Sequence, residues 1–353
     1  MSGGVDSSVA ALLLAEQGYE VVGAQMKLWD YSDVGEGTYE DNRCCITESI
    51  ADCRLVCDAI GAQFYVLDMT ERFRKTVIEY FVSEYLAGRT PNPCVVCNSE
   101  MKWKALLRKA EEIDCNYVAT GHYAIVEKGD SGRWRIRKGT DASRDQSYVL
   151  WRLSQEALSK TLLPLGGMHK TEVREMAKKH NLRAVDRPES REICFITDND
   201  YRRFLREWEA GMGRTPEAGE IVHADGHILG RHNGTAFYTI GQRKGLGIAH
   251  PTPLYVQAID TENNRVIVGD NDTLFGSELD ATHINWVSRE PSSEPFEARV
   301  KIRYRHEPTP ATVTPLTEDT VHVTFKDKQR AITPGQSVVF YEGDVLLGGG
   351  IIA

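Results

Sequence analysis

The chain opens MSGGVDSSVAALLLAEQG, and this stretch restricts the fold more than any other. Gly3 and Gly4 allow backbone N–H groups to approach an anion closely, and Ser7 and Ser8 add hydroxyls where a helix dipole is positive. Such turns sit at the C-terminal edge of a buried strand and feed a helix, so an α/β nucleotide-binding domain is expected. No Lys follows the second Gly, which excludes the GxxxxGKS/T loop of phosphoryl-transfer enzymes. The carboxylate of Asp6 inside the loop suggests Mg2+ bridging to phosphates. The plain alternative is an ordinary glycine-rich turn with a serine cap.

The pattern downstream fits a doubly wound parallel sheet. A helix is predicted from Ser7 to Gln17, capped by Asp6 or Ser7 and stopped by Gly18. A strand follows at Glu20–Met26, a helix at Thr47–Ile60, a strand at Phe64–Leu67, a long helix from Thr70 to about Leu86 and a strand at Tyr117–Thr120. After about residue 200, short alternating runs divided by Gly, Asn and Asp predict β-rich modules. The expected division is 1–200 for a catalytic domain, 201–275 for a small central β-rich domain and 276–353 for a closed β-barrel.

Charge does not exclude a nucleic-acid partner. The net charge is −9, but residues 1–60 hold 11 acids against 3 bases, so the remainder is near neutral. Basic stretches occur at Arg133–Lys138, Arg202–Arg203 and Lys301–His306, either as solvated faces or as phosphate contacts. No apolar run is long enough to span a bilayer and no secretory leader is evident, so a cytoplasmic protein is expected.

Eight cysteines in such a chain point to reduced thiols and to metal or sulfur chemistry. In RTPNPCVVCN, two prolines precede Cys94 and Cys97, a CxxC of metal, cluster or redox spacing. Cys97 is expected at the start of a helix, where a thiol pKa falls. Cys194, in EICFI, reads equally as a core residue. Cys53, Cys57 and Cys115 read as packing, and Cys44 and Cys45 stay open.

SGGVDSS resembles the pyrophosphatase loop of the N-type ATP-pyrophosphatases. With RTPNP, ATGHYA (119–124), DQSY (145–148), ICFI, YTIGQRKGLGI (238–248) and TPGQSVVFY (333–341), the chain resembles the tRNA-specific 2-thiouridylases over nearly its whole length. The resemblance implies ATP-dependent replacement of the wobble-uridine O2 by sulfur. ATP would meet Met1, Ser2, Gly3, Gly4, Val5, Asp6, Ser7, Ser8, Met26 and Gly121. The target base would meet Asn92, Pro93 and Cys94, and tRNA would meet His122, Arg144, Asp145, Gln146, Arg303, Tyr304 and Gln336.

In the family's persulfide scheme Cys194 carries the sulfur and Cys97 is the nucleophile, with a cysteine desulfurase or a relay protein as donor. One branch has Asp at position 94; the Cys-bearing branch is associated with a 4Fe–4S cluster, for which Cys94, Cys97 and Cys194 would be the ligands. Relatives usually carry a short strand ahead of this Met1, so a start codon placed too late is expected, leaving out the sheet's first strand. Two other readings compete: an argininosuccinate-synthase-like ligase, and a non-catalytic tRNA-binding or iron–sulfur protein. The first leaves the cysteines and the β-rich tail unexplained; the second is separated by pyrophosphate release.

Overall fold

The computed structural model describes residues 1–30, 47–186 and 193–353. Cys44 and Cys45, and Ser190, Arg191 and Glu192 ahead of Cys194, lie outside them. The chain divides into two compact units. The first comprises Met1–Val77, Cys94–Asn199 and Asp344–Leu347; the second comprises Ile78–Pro93, Asp200–Gly343 and Gly348–Ala353.

The strands of the first unit are β1 (Val22–Lys27), β2 (Gln63–Asp68), β3 (Val118–Ala119), β4 (Ala124–Lys128), β5 (Trp134–Lys138) and β6 (Thr161–Leu162). As the alternating pattern predicted, β1 runs parallel to β2, from Val22 opposite Gln63 to Lys27 opposite Asp68. A second parallel pair joins β3 to β6. The antiparallel hairpin β4–β5 was not foreseen, because its residues read as a basic stretch. Those bases are spent locally: Arg135 bonds Glu127, and Arg137 bonds Asp344 at 2.8 Å.

The helix Val5–Glu16 buries Val5, Val9 and Ala10 against Tyr123, Leu165, Val173 and Ala177. It starts earlier than expected. Gly4, extended at φ −91° and ψ 164°, is the N-cap, so Asp6 and Ser7 lie inside the first turn and cap nothing. The Ser7 and Ser8 hydroxyls donate to the Gly4 carbonyl at 3.1 and 3.0 Å. On the helix Thr47–Ala59, Cys53 and Cys57 are fully buried, with the Cys57 sulfur seated over Gly23. Burial pushes the Cys57 thiol up to about 11, which makes it inert at neutral pH.

Two helical runs contain π turns: Arg74–Ile78 after Thr70–Phe73, and Cys97–Ala105 between Pro93–Val96 and Leu106–Glu112. A wide turn of this kind often marks a functional segment. The Thr76 hydroxyl lies 3.5 Å from the Met101 sulfur, joining the two.

In the second unit, the helices Glu79–Leu86 and Tyr201–Gly211 meet through aromatic rings, Tyr85 on Tyr201 at 4.9 Å and Phe81 on Phe204 at 6.1 Å. Four strands follow: β7 (Gly219–His223), β8 (Ile228–His232), β9 (Tyr255–Asp260) and β10 (Arg265–Gly269), in the order β8-β7-β10-β9. The last module holds β11 (Phe275–Trp286), β12 (Phe296–Lys301), β13 (Thr309–Pro315), β14 (Thr320–Arg330), β15 (Ser337–Glu342) and β16 (Val345–Ile352). Their order is β11-β14-β13-β12-β15-β16, and pairing of β11 with β16 closes the expected barrel. Val300, Val323 and Phe340 fill it, each fully buried.

Candidate active site

The site starts at the loop. Gly3 takes φ +71° with its α-carbon flush on Ser49: a β-carbon there would stand 2.7 Å from that of Ser49. Only glycine fits such a position without strain. Gly121 presses on the loop from the other side, where an added β-carbon would stand 2.8 Å from the Asp6 carbonyl carbon and 2.9 Å from the Ser7 nitrogen. Both glycines therefore fix where the first-turn N–H groups point, and those groups have no partner inside a helix.

Asp6 is held by groups distant in sequence. The Lys170 ammonium donates to both carboxylate oxygens, at 2.7 and 2.8 Å, and the Tyr123 hydroxyl donates to one of them at 2.7 Å. Lys170 is buried, at 6% exposure, and its ammonium lies 5.8 Å from the Tyr123 ring centre. Its backbone N–H donates to Asp141 at 3.0 Å, which anchors the start of the helix Lys170–Lys179. Sequence reasoning missed Lys170 and Tyr123. One signal was there: a lysine at the first position of a helix opposes the macrodipole and needs a reason.

Gln146 and Asp145 are turned inward. The Gln146 side chain accepts from the Tyr123 N–H at 3.0 Å, and its backbone donates to the Tyr123 carbonyl at 2.9 Å. Asp145 accepts from the Gly139 and Ser147 N–H groups at 3.1 and 3.0 Å. Both residues thereby brace the segment that presents Tyr123 to Asp6. Arg144 is half-buried beside them, and Met26 is half-buried near the end of β1.

The cysteines sit differently from expectation. Pro93 opens the helix, since proline suits a first helical position, so Cys94 lies in its first turn and Cys97 one turn further in. Cys97 is thus not at a helix start. Its neighbour Asn98 donates to the Val149 carbonyl at 3.1 Å, and Trp103 donates to the Thr161 hydroxyl at 2.6 Å, tying the π segment down. Cys94 is exposed, yet the protein around it raises its thiol while Lys102 opposes the rise.

His122 is buried and engages both ring nitrogens within the chain: Lys102 donates to Nε2 at 3.5 Å, and Nδ1 shares a 2.7 Å bond with Thr120. Burial first, and Lys102 second, hold its pKa well below the usual histidine value, so the ring is neutral with its proton on Nδ1. Cys194 lies half-buried in the turn Ile193–Ile196, and its neighbour Phe195 packs edge-on against Phe73 at 5.7 Å.

Other expected contacts lie in the second unit. The Gln336 amide donates to the Thr90 and Pro91 carbonyls at 2.9 and 3.2 Å, and so latches the segment leading into Asn92 and Pro93. Arg303 donates to the Arg330 carbonyl at 3.0 Å, and the exposed Tyr304 ring has the Lys301 ammonium at 5.6 Å.

Neither expected metal group finds a ligand set. Both Asp6 oxygens are committed to Lys170, and among the described residues no three His, Cys, Asp or Glu side chains are grouped to hold a metal ion. As placed, Cys94, Cys97 and Cys194 therefore do not form a cluster site, and Asp6 is paired with an ammonium where Mg2+ was expected.

Comparison with known proteins identifies the family. Residues 1–198 match the family described as tRNA methyl transferase HUP domain, 212–270 its PRC-barrel domain and 276–352 an aminomethyltransferase beta-barrel domain. The tRNA-specific 2-thiouridylase MnmA of Geobacter metallireducens is 51% identical over all of this chain and 95% of its own length. That of Clostridioides difficile is 48% identical over all of this chain and 96% of its own. A solved U34-tRNA thiolase, NcsA from Methanococcus maripaludis with its 4Fe–4S cluster, aligns at 21% identity over 60% of this chain and 65% of that one. Its TM-score is 0.33, too low to carry any assignment. With identity near one half over its full length and family models over 1–198, 212–270 and 276–352, the chain belongs to the tRNA-specific 2-thiouridylase family.

Proposed function

We propose that the chain 2-thiolates the wobble uridine (position 34) of tRNA, using ATP. One observation carries the reading: an anion-ready loop with a buried lysine locked at its acidic residue, on the same compact unit as the Cys94–Cys97 helix turn. The loop N–H groups and Lys170 meet the polyphosphate, where fixed donors stabilise the departing pyrophosphate. The uridine O2 attacks the α-phosphate, and AMP then becomes the group that leaves C2. Mg2+ comes with the nucleotide in this reading and is assigned no ligand in the chain.

Sulfur arrives on Cys194 as a persulfide. The Cys97 thiolate attacks the Cys194 sulfur, the S–S bond of the persulfide breaks, and hydrosulfide is released to attack C2. A Cys97–Cys194 disulfide remains, which an external thiol must reduce before the next turnover. A cysteine desulfurase or relay protein would load the persulfide. The expected tRNA contacts (Asn92, Pro93, Cys94, His122, Arg144, Asp145, Gln146, Arg303, Tyr304 and Gln336) and the division at residues 200 and 275 belong to this proposal. Here Asp145, Gln146 and His122 act through the groups they brace.

The test is incubation with tRNA, ATP, Mg2+ and a persulfide donor, followed by mass spectrometry of the wobble nucleoside and a pyrophosphate assay. Formation of 2-thiouridine with tRNA-dependent pyrophosphate release is expected. Pyrophosphate released without tRNA would mean a small-substrate ligase, and none at all would mean a binder. Full activity in Cys94→Ala with none in Cys97→Ala supports the two-thiol route; loss in both would overturn it.

A further inference from the structure

A cavity of about 340 Å3 in the first unit lies apart from the loop site, between the end of β2 and the helix Leu106–Glu112. Asp68, Met69, Arg72, Arg108, Lys109 and Glu112 are on its wall. Of these charges, Lys109 and Glu112 neutralise each other at 2.6 Å. Asp68 accepts from the Thr70 N–H and hydroxyl at 3.0 and 2.7 Å, which ties it to its own turn. Two guanidinium groups are left. Among the described residues, the buried Arg72 Nε finds no acceptor. Arg108 is exposed, and Glu111, the acid whose charge it feels, is bonded to Lys160 at 2.7 Å.

A buried donor of a charged group left without a partner costs stability, so its persistence points to an occupant. That occupant must be an anion with several acceptor oxygens, which the fork of arginine matches. The cavity's position agrees, because ligands of parallel α/β sheets bind at the carboxyl ends of the strands. The first 60 residues carry 11 acids against 3 bases, so a polyanion can approach this unit only where cations are concentrated.

We propose that this cavity holds a phosphate group and that the RNA backbone supplies it, which rests on the reading that the chain binds tRNA. Binding of a fluorescent tRNA transcript by the full chain, followed by anisotropy over a salt series, tests it. Arg108→Gln and Arg72→Gln should each weaken binding about tenfold and lower the salt slope by about 1, with ATP affinity unchanged. Arg108 is exposed, so its variant folds even where Arg72→Gln does not.

Unchanged affinity and slope in Arg108→Gln would overturn the proposal. Weakened ATP or inorganic phosphate binding with an unchanged tRNA slope would assign the phosphate to a free nucleotide and overturn the RNA source. Absence of any tRNA binding by the unaltered chain is a different failure, that of the functional reading. The cavity is then read by inorganic phosphate alone, whose stabilisation of the chain on heating should vanish in Arg108→Gln.

Discussion

Lys170 and Gly121 decide how the loop works, and each can be tested by one substitution. Lys170→Met removes the partner of an Asp6 carboxylate that is only about one-third exposed, and breaking such a pair costs about 2 kcal/mol. If Lys170 also meets the polyphosphate, pyrophosphate release should fall by about 100-fold. The double variant Asp6→Asn/Lys170→Met separates the two roles: thermal stability should return while activity stays lost. Recovery of both would make Lys170 a purely structural residue. Gly121→Ala drives a methyl group into the backbone of Asp6 and Ser7. Displacing the loop in this way should raise the KM for ATP about tenfold with little change in tRNA affinity. The glycines and Asp6 were legible in the sequence because their spacing is local. Lys170 was not, since 164 residues separate it from Asp6 and nothing in a one-dimensional pattern pairs them.

Among the elements, the π-helical segment Cys97–Ala105 separates reading from structure. Its strands-and-helices setting was foreseen, but a π turn has no signature in hydrophobic spacing, and the helix start was placed four residues late. Pro93 held the clue, as a residue preferred at the first helical position. The segment keeps its geometry through Trp103, whose indole N–H reaches the Thr161 hydroxyl, itself bonded to the Ala157 carbonyl at 2.6 Å. Thr161→Val leaves a fully buried indole donor unsatisfied and should destabilise the first unit by about 2 kcal/mol. Trp103→Phe removes the donor itself and should cost less than Thr161→Val per hydrogen bond lost, although it also loses packing. Urea denaturation followed by far-UV signal measures both. Equal stability of Thr161→Val and the parent chain would mean that the π segment does not depend on this bond.

At the scale of the whole molecule, the barrel was readable because alternation over six strands admits few other folds, whereas the pH response of stability was not readable at all. It arises from histidines whose partners only folding supplies. His232 shows the cause most clearly: it is 1% exposed, its Nδ1 accepts from the Gly234 N–H at 3.0 Å, and its Nε2 donates to the Asn264 carbonyl at 3.1 Å. Burial disfavours the charged ring, the bond to the Asn264 carbonyl partly offsets this and Arg231 adds to it, so its pKa is lowered. His122 and His306 are lowered as well, each chiefly by burial. In the unfolded chain all three titrate near 6.5. As pH falls below that value the unfolded chain binds protons that the folded chain refuses, so stability must fall. The depressed carboxylates Asp68, Asp141 and Asp344 lose their contribution only as pH drops below about 4. The interval from pH 7.5 to 5.5 therefore isolates the histidines. Each that stays neutral to pH 5.5 withdraws about 1.4 kcal/mol over it. His232→Asn keeps an acceptor for the Gly234 N–H and removes the titrating ring. It should be less stable than the parent at pH 7.5, and its loss of stability down to pH 5.5 should be smaller by about 1 kcal/mol. Identical pH slopes for the two chains would show that His232 binds its proton as readily folded as unfolded.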